Sequence, residues 1–217
     1  MQDSVQVRQE VIDTCLWMQN LGYVFGTWGN VSVRLDDDRI LMTPSKLEYE
    51  KMIPEDLVVM TLEGEILSGS HLPTSERELH KKIMKIRPDI QAVIHTHSPY
   101  AMAASTLDKG IPPISEEMCQ LIGGSIPISR EFVPSEQHVK LGNIVADSLG
   151  MANAVLIRNH GSVCCGTSLV QARVCCQVVE KSAKMYLHLL GYSKINLVPS
   201  ELVEAGRKYY LHSYGKY

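Results

Sequence analysis

The sequence predicts a single-domain α/β sandwich, in which a central, mostly antiparallel sheet is covered by helices. Short apolar strands alternate with amphipathic helices, and several strands are separated by only a few polar residues, as in hairpins. Of the 217 residues, 45% are hydrophobic and 21% are charged, which is the balance of a chain that buries a core. No repeat, linker or low-complexity tract interrupts the sequence, so we expect residues 1–217 to form one domain.

The first half of the chain is predicted to form a helix, two hairpins and a further helix–strand–helix unit. Apolar residues at helical spacing define the first helix, and alternating residues around acidic turns indicate the hairpins. The expected elements are a helix over 7–21 with Gly22 as its C-cap, strands over 31–35 and 40–42 around Asp36-Asp37-Asp38, strands over 57–60 and 65–67 around Glu63-Gly64, a helix over 75–87 closed by Pro88, a strand over 92–94 and a helix over 99–106.

The second half repeats this alternation. Ser168 and Gln171, three residues apart, form a capping box that begins the last helix, whose apolar stripe includes Val174 and Val178. The expected elements are a helix over 139–149, a buried strand over 154–157, a turn at Asn159-His160-Gly161, a return strand over 163–165 and the helix after Ser168.

Composition excludes several classes of protein. Lys and Arg number 21 and Asp and Glu number 24, so the formal net charge is −3, which argues against a binder of nucleic acid or of a membrane surface. No apolar run reaches the length of a membrane span, and the first residues do not resemble a signal peptide. The six cysteines include no Cys-x-x-Cys pair, so we expect reduced thiols without chemistry in a soluble, cytoplasmic protein.

Three of the eight histidines indicate a metal site. His95 and His97 flank Thr96 at the end of a predicted strand, and residues i and i+2 of a strand project to the same side. His160 lies in a turn after another buried strand, and three protein nitrogens with an open position are typical of a catalytic metal. A His-x-His pair alone also fits surface or satisfied core histidines. The other five have no such geometry, and His80 and His188 are expected to be partly exposed helix positions.

Three polar segments indicate a phosphate site. Each offers hydroxyl groups or backbone N–H groups that are freed by a glycine or by a helix start, which are the groups that bind phosphate. Each segment taken alone is equally explained as a turn or a helix N-cap. The segments are Gly26-Thr27-Trp28-Gly29-Asn30, Thr43-Pro44-Ser45-Lys46 and Pro73-Thr74-Ser75-Glu76.

Five short motifs follow one another in an order that resembles the class II metal-dependent aldolases. They are Gly-Asn-Val-Ser, Thr-Pro, Ser-Glu, His-x-His and a distant His-Gly. This family includes enzymes of the fuculose-1-phosphate aldolase type and ribulose-5-phosphate 4-epimerases. The resemblance covers nearly the whole chain, from Ile12 to Tyr214-Gly215. It implies the family's α/β sandwich, assembled as a C4 homotetramer with sites at subunit interfaces.

The resemblance also implies roles for individual residues. His95, His97 and His160 match the histidines that hold Zn²⁺, although three nitrogens and a carboxylate also suit Mn²⁺ or Co²⁺. Glu76 matches a glutamate that binds the resting metal and becomes the acid/base when a sugar phosphate binds. Tyr214 matches a tyrosine in a mobile C-terminal tail that closes over the site. The phosphate cradle corresponds to Thr27, Gly29, Asn30, Ser45, Thr74 and Ser75, and Lys46 is expected to act as a phosphate counter-charge.

Two positions depart from the family pattern. Lys46 stands where the aldolases have a glycine that lets the backbone approach the phosphate. Glu116-Glu117 stands near the position of a tyrosine that the aldolases donate across the interface to protonate the aldehyde oxygen. A glutamate there resembles the acid/base of the related methylthioribulose-1-phosphate dehydratases, which lack a glutamate equivalent to Glu76.

Four functions therefore compete. The favoured one is a metal-dependent aldolase that cleaves a deoxyketose 1-phosphate, such as fuculose 1-phosphate or 5-deoxyribulose 1-phosphate, to dihydroxyacetone phosphate and a small aldehyde. A ketose-1-phosphate dehydratase is favoured by Glu117 and disfavoured by Glu76. A pentulose-5-phosphate 4-epimerase and a non-enzymatic scaffold fit less well, and the scaffold is opposed by the presence of all three histidines.

Overall fold

A seven-stranded antiparallel sheet runs through the middle of the molecule in the computed structural model, which describes residues 3–214. Gly215, the last residue of the aldolase resemblance, and the two ends of the expected domain lie outside the described residues. The strand order is β4-β3-β2-β1-β5-β7-β6. The strands are β1 Asn30–Arg34, β2 Arg39–Met42, β3 Val58–Thr61, β4 Ile66–Ser68, β5 Ala92–Thr96, β6 Ala154–Ile157 and β7 Gly161–Gly166.

Helices cover both faces of this sheet, as the sequence predicts. One apolar core lies between the sheet and helices α1, α3 and α5, and a second lies between the opposite face and helices α2 and α4. The helices are α1 Val5–Asn20, α2 Arg77–Ile86, α3 Pro99–Ala104, α4 His138–Leu149, α5 Leu169–Leu189 and α6 Ser200–His212. No helix in the described chain is both long enough and apolar enough to cross a membrane.

Alternation along the central strands decides which side chains face α2. Val31 and Val33 of β1 enter the core under α1, α3 and α5, so Asn30 and Ser32 point to the opposite face. Both are buried, because α2 covers them. The polar residues of β1 therefore line the interior of the molecule beneath α2, where each needs a hydrogen-bond partner.

Two elements differ from the expectations of sequence. Helix α6 and a π-helical turn at Met118–Ile122, on which α6 packs, were not anticipated. Helix α6 has no buried residue, so its apolar side chains do not follow a core-facing stripe. His80 was expected to be partly exposed, and this was wrong: its side chain is wholly buried between α2 and β1. All six cysteines are buried free thiols, in agreement with the expectation that they act as small apolar residues.

Candidate metal centre and active site

Three histidine side chains converge at one end of the central strands. His95 lies in β5, His97 directly follows that strand, and His160 lies in the turn between β6 and β7. A ring nitrogen of each lies within 4.8 Å of the others, and the Nε2 atoms of His95 and His97 are 2.9 Å apart. The rings stand at 74° to 80° to one another with centroids 4.8 to 5.0 Å apart. The described chain thus brings together the three residues that the sequence singles out.

Strand pairing explains why residues so distant in sequence meet. β5 lies between β1 and β7, and His95 is directly opposite Asn30 in the register of β1. The tight turn that begins β7 carries His160 back toward the end of β5. A Cβ atom on Gly161 would lie 2.3 Å from the carbonyl oxygen of Thr96, so glycine is required for this close approach.

The imidazoles are arranged to present unprotonated nitrogens to one another. Nδ1 of His95 donates to the carbonyl oxygen of Ser162 at 3.0 Å, which directs Nε2 toward the other two histidines. Burial, with His95 and His160 nearby, lowers the pKa of His97 to about 3. Burial and His95 lower the pKa of His160 to about 4. Neutral imidazoles with converging lone pairs are the donor set of a divalent cation.

Glu76 completes the donor set. Its Oε2 lies 3.2 Å from Nε2 of His95 and its Oε1 lies 3.3 Å from Nε2 of His160. Burial favours the neutral carboxyl, but His95, His160 and the amide of Asn30 outweigh it and lower the pKa of Glu76 to about 2. Oε1 is buried without a hydrogen-bond partner in the described chain. An ionised oxygen left unpaired beside three imidazoles fits a bound cation, and the set suits zinc, manganese or cobalt.

One cavity of about 530 Å³ opens beside this cluster. The side chains of Thr27, Lys46 and Ser75 line it and make no hydrogen bond or ion pair to any residue between 3 and 214. They are therefore available to a ligand. The cavity lining includes all seven residues of the expected phosphate site together with Glu76 and two of the histidines: Thr27, Gly29, Asn30, Ser45, Lys46, Thr74, Ser75, Glu76, His97 and His160.

Lys46 occupies an unusual backbone conformation. Its φ angle is 63°, in the left-handed region that residues other than glycine rarely adopt. The backbone at this position therefore keeps a conformation typical of glycine while carrying a charged side chain. Strained residues of this kind are concentrated at functional sites.

Two buried polar contacts hold the chain on either side of the cavity. The hydroxyl of Tyr49 donates to the carbonyl oxygen of Gly29 at 2.6 Å and fixes the loop before β1. The carboxylate of Glu180 in α5 accepts from the backbone N–H groups of Tyr100 and Ala101, both at 2.9 Å. These N–H groups begin α3, so Glu180 anchors the helix that follows His97.

The sequence profile of the Class II Aldolase and Adducin N-terminal domain family matches residues 9–187. This chain belongs to the class II aldolase and adducin family. It is 35% identical over 213 residues to the L-fuculose phosphate aldolase of Haemophilus influenzae, with 97% of this chain and 95% of that protein covered. It is 30% identical over 200 residues to the 5-deoxy-D-ribulose 1-phosphate aldolase of Bacillus thuringiensis serovar kurstaki, with 91% and 92% covered.

The fold of this class II aldolase family member also matches solved structures. A structure of L-fuculose 1-phosphate aldolase superimposes with a TM-score of 0.90 at 26% sequence identity and covers 97% of this chain and 98% of its own. The family and these relatives support a lyase of the class II aldolase type. They confirm the α/β class and the resemblance that the motifs indicate.

Two residues that the sequence assigns to catalysis do not line the cavity of this class II aldolase. Glu117 precedes the π-helical turn, and its carboxylate accepts from Nζ of Lys181 at 2.6 Å. Tyr214 follows α6, is 59% exposed and stacks on Tyr210. Within the described chain neither contacts the histidine cluster.

One buried histidine close to the site was missed by sequence reasoning. His80 contacts Ser32 and Asn30, and Asn30 in turn donates to Glu76. Its position four residues after Glu76 was a usable signal, because residues i and i+4 share one face of a helix. The side-chain amide of Asn30 is thus engaged with protein partners at both its oxygen and its nitrogen.

Proposed function

We propose that this class II aldolase cleaves L-fuculose 1-phosphate to dihydroxyacetone phosphate and L-lactaldehyde, and so acts in fucose degradation. The observation that supports it most is the shared cavity, in which unpaired phosphate-binding groups and the histidine–glutamate cluster line the same space. A ketose 1-phosphate needs both, since its phosphate must be held while the bond between C3 and C4 breaks beside the cluster. The 35% identical relative is named for the same sugar phosphate.

His95, His97, His160 and the resting Glu76 would hold the cation, which we expect to be zinc with manganese or cobalt as alternatives. When bound, such an ion supplies Lewis-acid stabilisation of the negative charge that develops on the ketose half. The chain's own contribution is to make the three imidazoles converge, to keep those of His97 and His160 neutral, and to place a buried carboxylate oxygen beside them.

Glu76 is the acid/base. At neutral pH it is ionised, because its pKa is about 2, and it can accept a proton. After the bond between C3 and C4 breaks, the dihydroxyacetone phosphate half carries the electron pair at C3. The C4 hydroxyl loses its proton as the aldehyde carbonyl forms. Glu76, once it has accepted a proton, donates it to C3, and in the reverse direction it removes a proton from C3. Its buried position beside the cluster places it for this step.

The phosphate of the substrate lies among Thr27, Gly29, Ser45, Lys46, Thr74 and Ser75, with Lys46 as its counter-charge. Asn30 lines the same cavity, but its amide is already engaged with Glu76 and His80. We expect a cytoplasmic homotetramer with its sites at subunit interfaces. A neighbouring subunit would contribute Glu117, and the C-terminal tail would bring Tyr214 over the site, since neither residue lines the cavity in the described chain.

The decisive experiment measures dihydroxyacetone phosphate release from L-fuculose 1-phosphate. The purified protein is stripped with a chelator and then reconstituted with zinc, manganese or cobalt. We expect activity that disappears on stripping and returns with one of these metals. A fully loaded protein that releases no dihydroxyacetone phosphate would contradict the proposal.

His97→Ala tests whether this histidine holds a metal that the activity requires. We expect it to lose bound metal and activity together, because it removes one of three converging nitrogens. Metal content by mass spectrometry and the aldolase assay give the two readings. His188→Ala, at an exposed position on α5, is the matched control and should change neither.

Glu76→Gln tests the acid/base assignment. The amide keeps the size of the side chain but cannot accept the proton, so turnover should fall by at least about 100-fold. With zinc supplied in excess, the metal content should persist because the three histidines remain, although zinc affinity should fall with the loss of a charged ligand. Near-normal turnover in this variant would remove Glu76 from the mechanism.

A second substrate is favoured by the relative named 5-deoxy-D-ribulose 1-phosphate aldolase, which is 30% identical. The same assay with 5-deoxyribulose 1-phosphate compares kcat/KM for the two sugars.

The dehydratase alternative is tested by Glu117→Gln, which should abolish dehydration but leave cleavage less affected. Product analysis of the same reactions also detects a 4-epimerase.

A further inference from the structure

A continuous chain of four buried side chains connects β1 to the candidate acid/base. Oγ of Ser32 lies 2.6 Å from Nδ1 of His80, and Nε2 of His80 contacts Oδ1 of Asn30. Nδ2 of Asn30 then donates to Oε2 of Glu76 at 2.8 Å. Ser32 and His80 are 0% exposed, Asn30 is 4% and Glu76 is 8%. The network is buried at Ser32 and His80, and its Asn30 and Glu76 end lines the cavity.

The periodicities of two elements produce this arrangement. Asn30 and Ser32 are two residues apart on β1 and share the face beneath α2. Glu76 and His80 are four residues apart at the start of α2 and share one helical face. The strand and the helix therefore place their polar side chains opposite one another, in alternating order along the chain of contacts.

Hydrogen-bond chemistry fixes the direction of every bond in the chain. An ionised Glu76 only accepts, so Asn30 must turn its NH₂ group toward it and its oxygen toward His80. His80 must then donate from Nε2. Burial, with His95 nearby, lowers the pKa of His80 to about 3, so the ring is neutral and has a single N–H. Its Nδ1 accordingly accepts from the hydroxyl of Ser32.

This order distinguishes the two oxygens of Glu76. Oε2 is occupied by Asn30, whereas Oε1 has no hydrogen-bond partner in the described chain and lies 3.3 Å from Nε2 of His160. A reversed Asn30 amide would place its oxygen against the carboxylate, where two acceptors repel. The donor of His80 holds the amide in the orientation in which Oε2 accepts from Asn30 beside His95, while Oε1 faces His160 without a hydrogen bond in the described chain.

We propose that His80 is a positioning residue that sets the orientation of Glu76 through Asn30, with Ser32 fixing the tautomer of the imidazole. His80 does not itself line the cavity. It contacts Asn30, which does, and so it acts on Glu76 only through that residue. The inference rests on the proposed function for the role of Glu76 as acid/base. Its physical content, the orientation of a buried carboxylate, is measurable without the reaction.

The test compares His80→Leu with His80→Gln. Leucine fills a similar volume without a donor, whereas the glutamine amide can donate to Asn30 in place of Nε2. We expect His80→Leu to lower zinc affinity and kcat by about 10- to 100-fold each with KM nearly unchanged. His80→Gln should recover most of both losses. Zinc affinity is measured on the stripped protein by competition with a chromophoric chelator.

Several outcomes would overturn the proposal. If His80→Leu lowers only the melting temperature and leaves zinc affinity and kcat within twofold, the histidine is purely structural. Equal losses in His80→Gln and His80→Leu at equal melting temperature would exclude the donor role. If His80→Leu does not fold, Ser32→Ala serves instead, and a change below twofold in both zinc affinity and kcat would count against the chain.

The two proposals fail separately. If the wild-type protein cleaves no sugar phosphate but His80→Leu loses zinc affinity that His80→Gln restores, the positioning role stands and the substrate assignment falls. If cleavage is observed and the His80 variants match the wild type in kcat and zinc affinity, the aldolase stands and the positioning role falls.

Discussion

At the scale of residues, Lys46 has a strained backbone conformation and a side chain without a hydrogen-bond or ion-pair partner in the described chain. Its φ of 63° costs about 1 kcal/mol relative to glycine. The residue lines the cavity, and its side chain makes no ion pair in the described chain. A substitution that relieves the strain and removes the charge should therefore separate stability from ligand binding.

Lys46→Gly should leave the melting temperature unchanged or raise it, while KM for the sugar phosphate rises about 10-fold. The rise follows from the loss of one charge-assisted contact to phosphate, and 1.4 kcal/mol corresponds to a factor of ten. Thermal denaturation and initial-rate kinetics measure the two effects. Lys194→Ala, at an exposed position, is the control, and an unchanged KM in Lys46→Gly would exclude the phosphate contact.

Single residues also show where sequence reasoning stops. The alternation Asn30-Val31-Ser32-Val33 predicts a strand correctly, but the polar face of a strand is normally exposed to solvent. Here α2 covers that face, and Asn30 and Ser32 become parts of a buried network. The alternation of polar and apolar residues predicts the strand itself. It does not predict which helix covers the strand, because that depends on tertiary packing.

At the scale of elements, α3 depends on a distant side chain for its first turn. The helix has six residues, begins at Pro99 and has no side-chain N-cap of its own from Ser98. Glu180 of α5 replaces that cap with two hydrogen bonds to backbone N–H groups. Because α3 follows His97 directly, a long-range contact between helices supports the position of a candidate metal ligand.

Glu180→Ala should lower the free energy of unfolding by about 2 kcal/mol, since it leaves two backbone donors without their charged acceptor. It should also weaken zinc binding by displacing His97. Urea denaturation and chelator competition measure these changes. Glu201→Ala, in the exposed first turn of α6, should change neither, and an equal effect in both variants would contradict the specific role of Glu180.

The central elements were predictable from sequence because their apolar residues are periodic. The expected strand over 154–157 coincides with β6, and the expected helix over 139–149 begins one residue after α4 does. Helix α6 was missed because its Leu202, Tyr209 and Leu211 remain exposed and mark no core-facing stripe. The resemblance implies that the Glu117 position acts across a subunit interface and that Tyr214 belongs to a mobile tail, and no pattern within one chain can define either.

At the scale of the whole molecule, buried histidines make the metal-free protein sensitive to acid. The pKa of His80 and of His97 is lowered to about 3 and that of His160 to about 4, against about 6.5 in an unfolded chain. Between pH 6.5 and pH 4 the unfolded chain binds protons that the folded protein excludes. The free energy of unfolding therefore falls as the pH falls through this window.

The expected slope is up to about 1.4 kcal/mol per pH unit for each such histidine. Glu76 acts in the same direction at lower pH, because its stabilising contribution is lost as the pH falls from its ordinary 4.5 toward 2. Urea denaturation of the chelator-treated protein should show constant stability from pH 7 to pH 8 and a decline below pH 6.5. Constant stability from pH 5 to pH 7 would contradict the burial of these neutral rings.

The candidate ligands come from three places that only the finished sheet brings together: the start of α2, the end of β5 and the turn between β6 and β7. A cation that binds this set binds only molecules in which β5 and β7 are already paired. Its binding energy is thus added to the barrier for separating those strands. Amide hydrogens of β5 and β7 should exchange with solvent markedly more slowly after zinc is added, although the two strands are remote from each other in sequence.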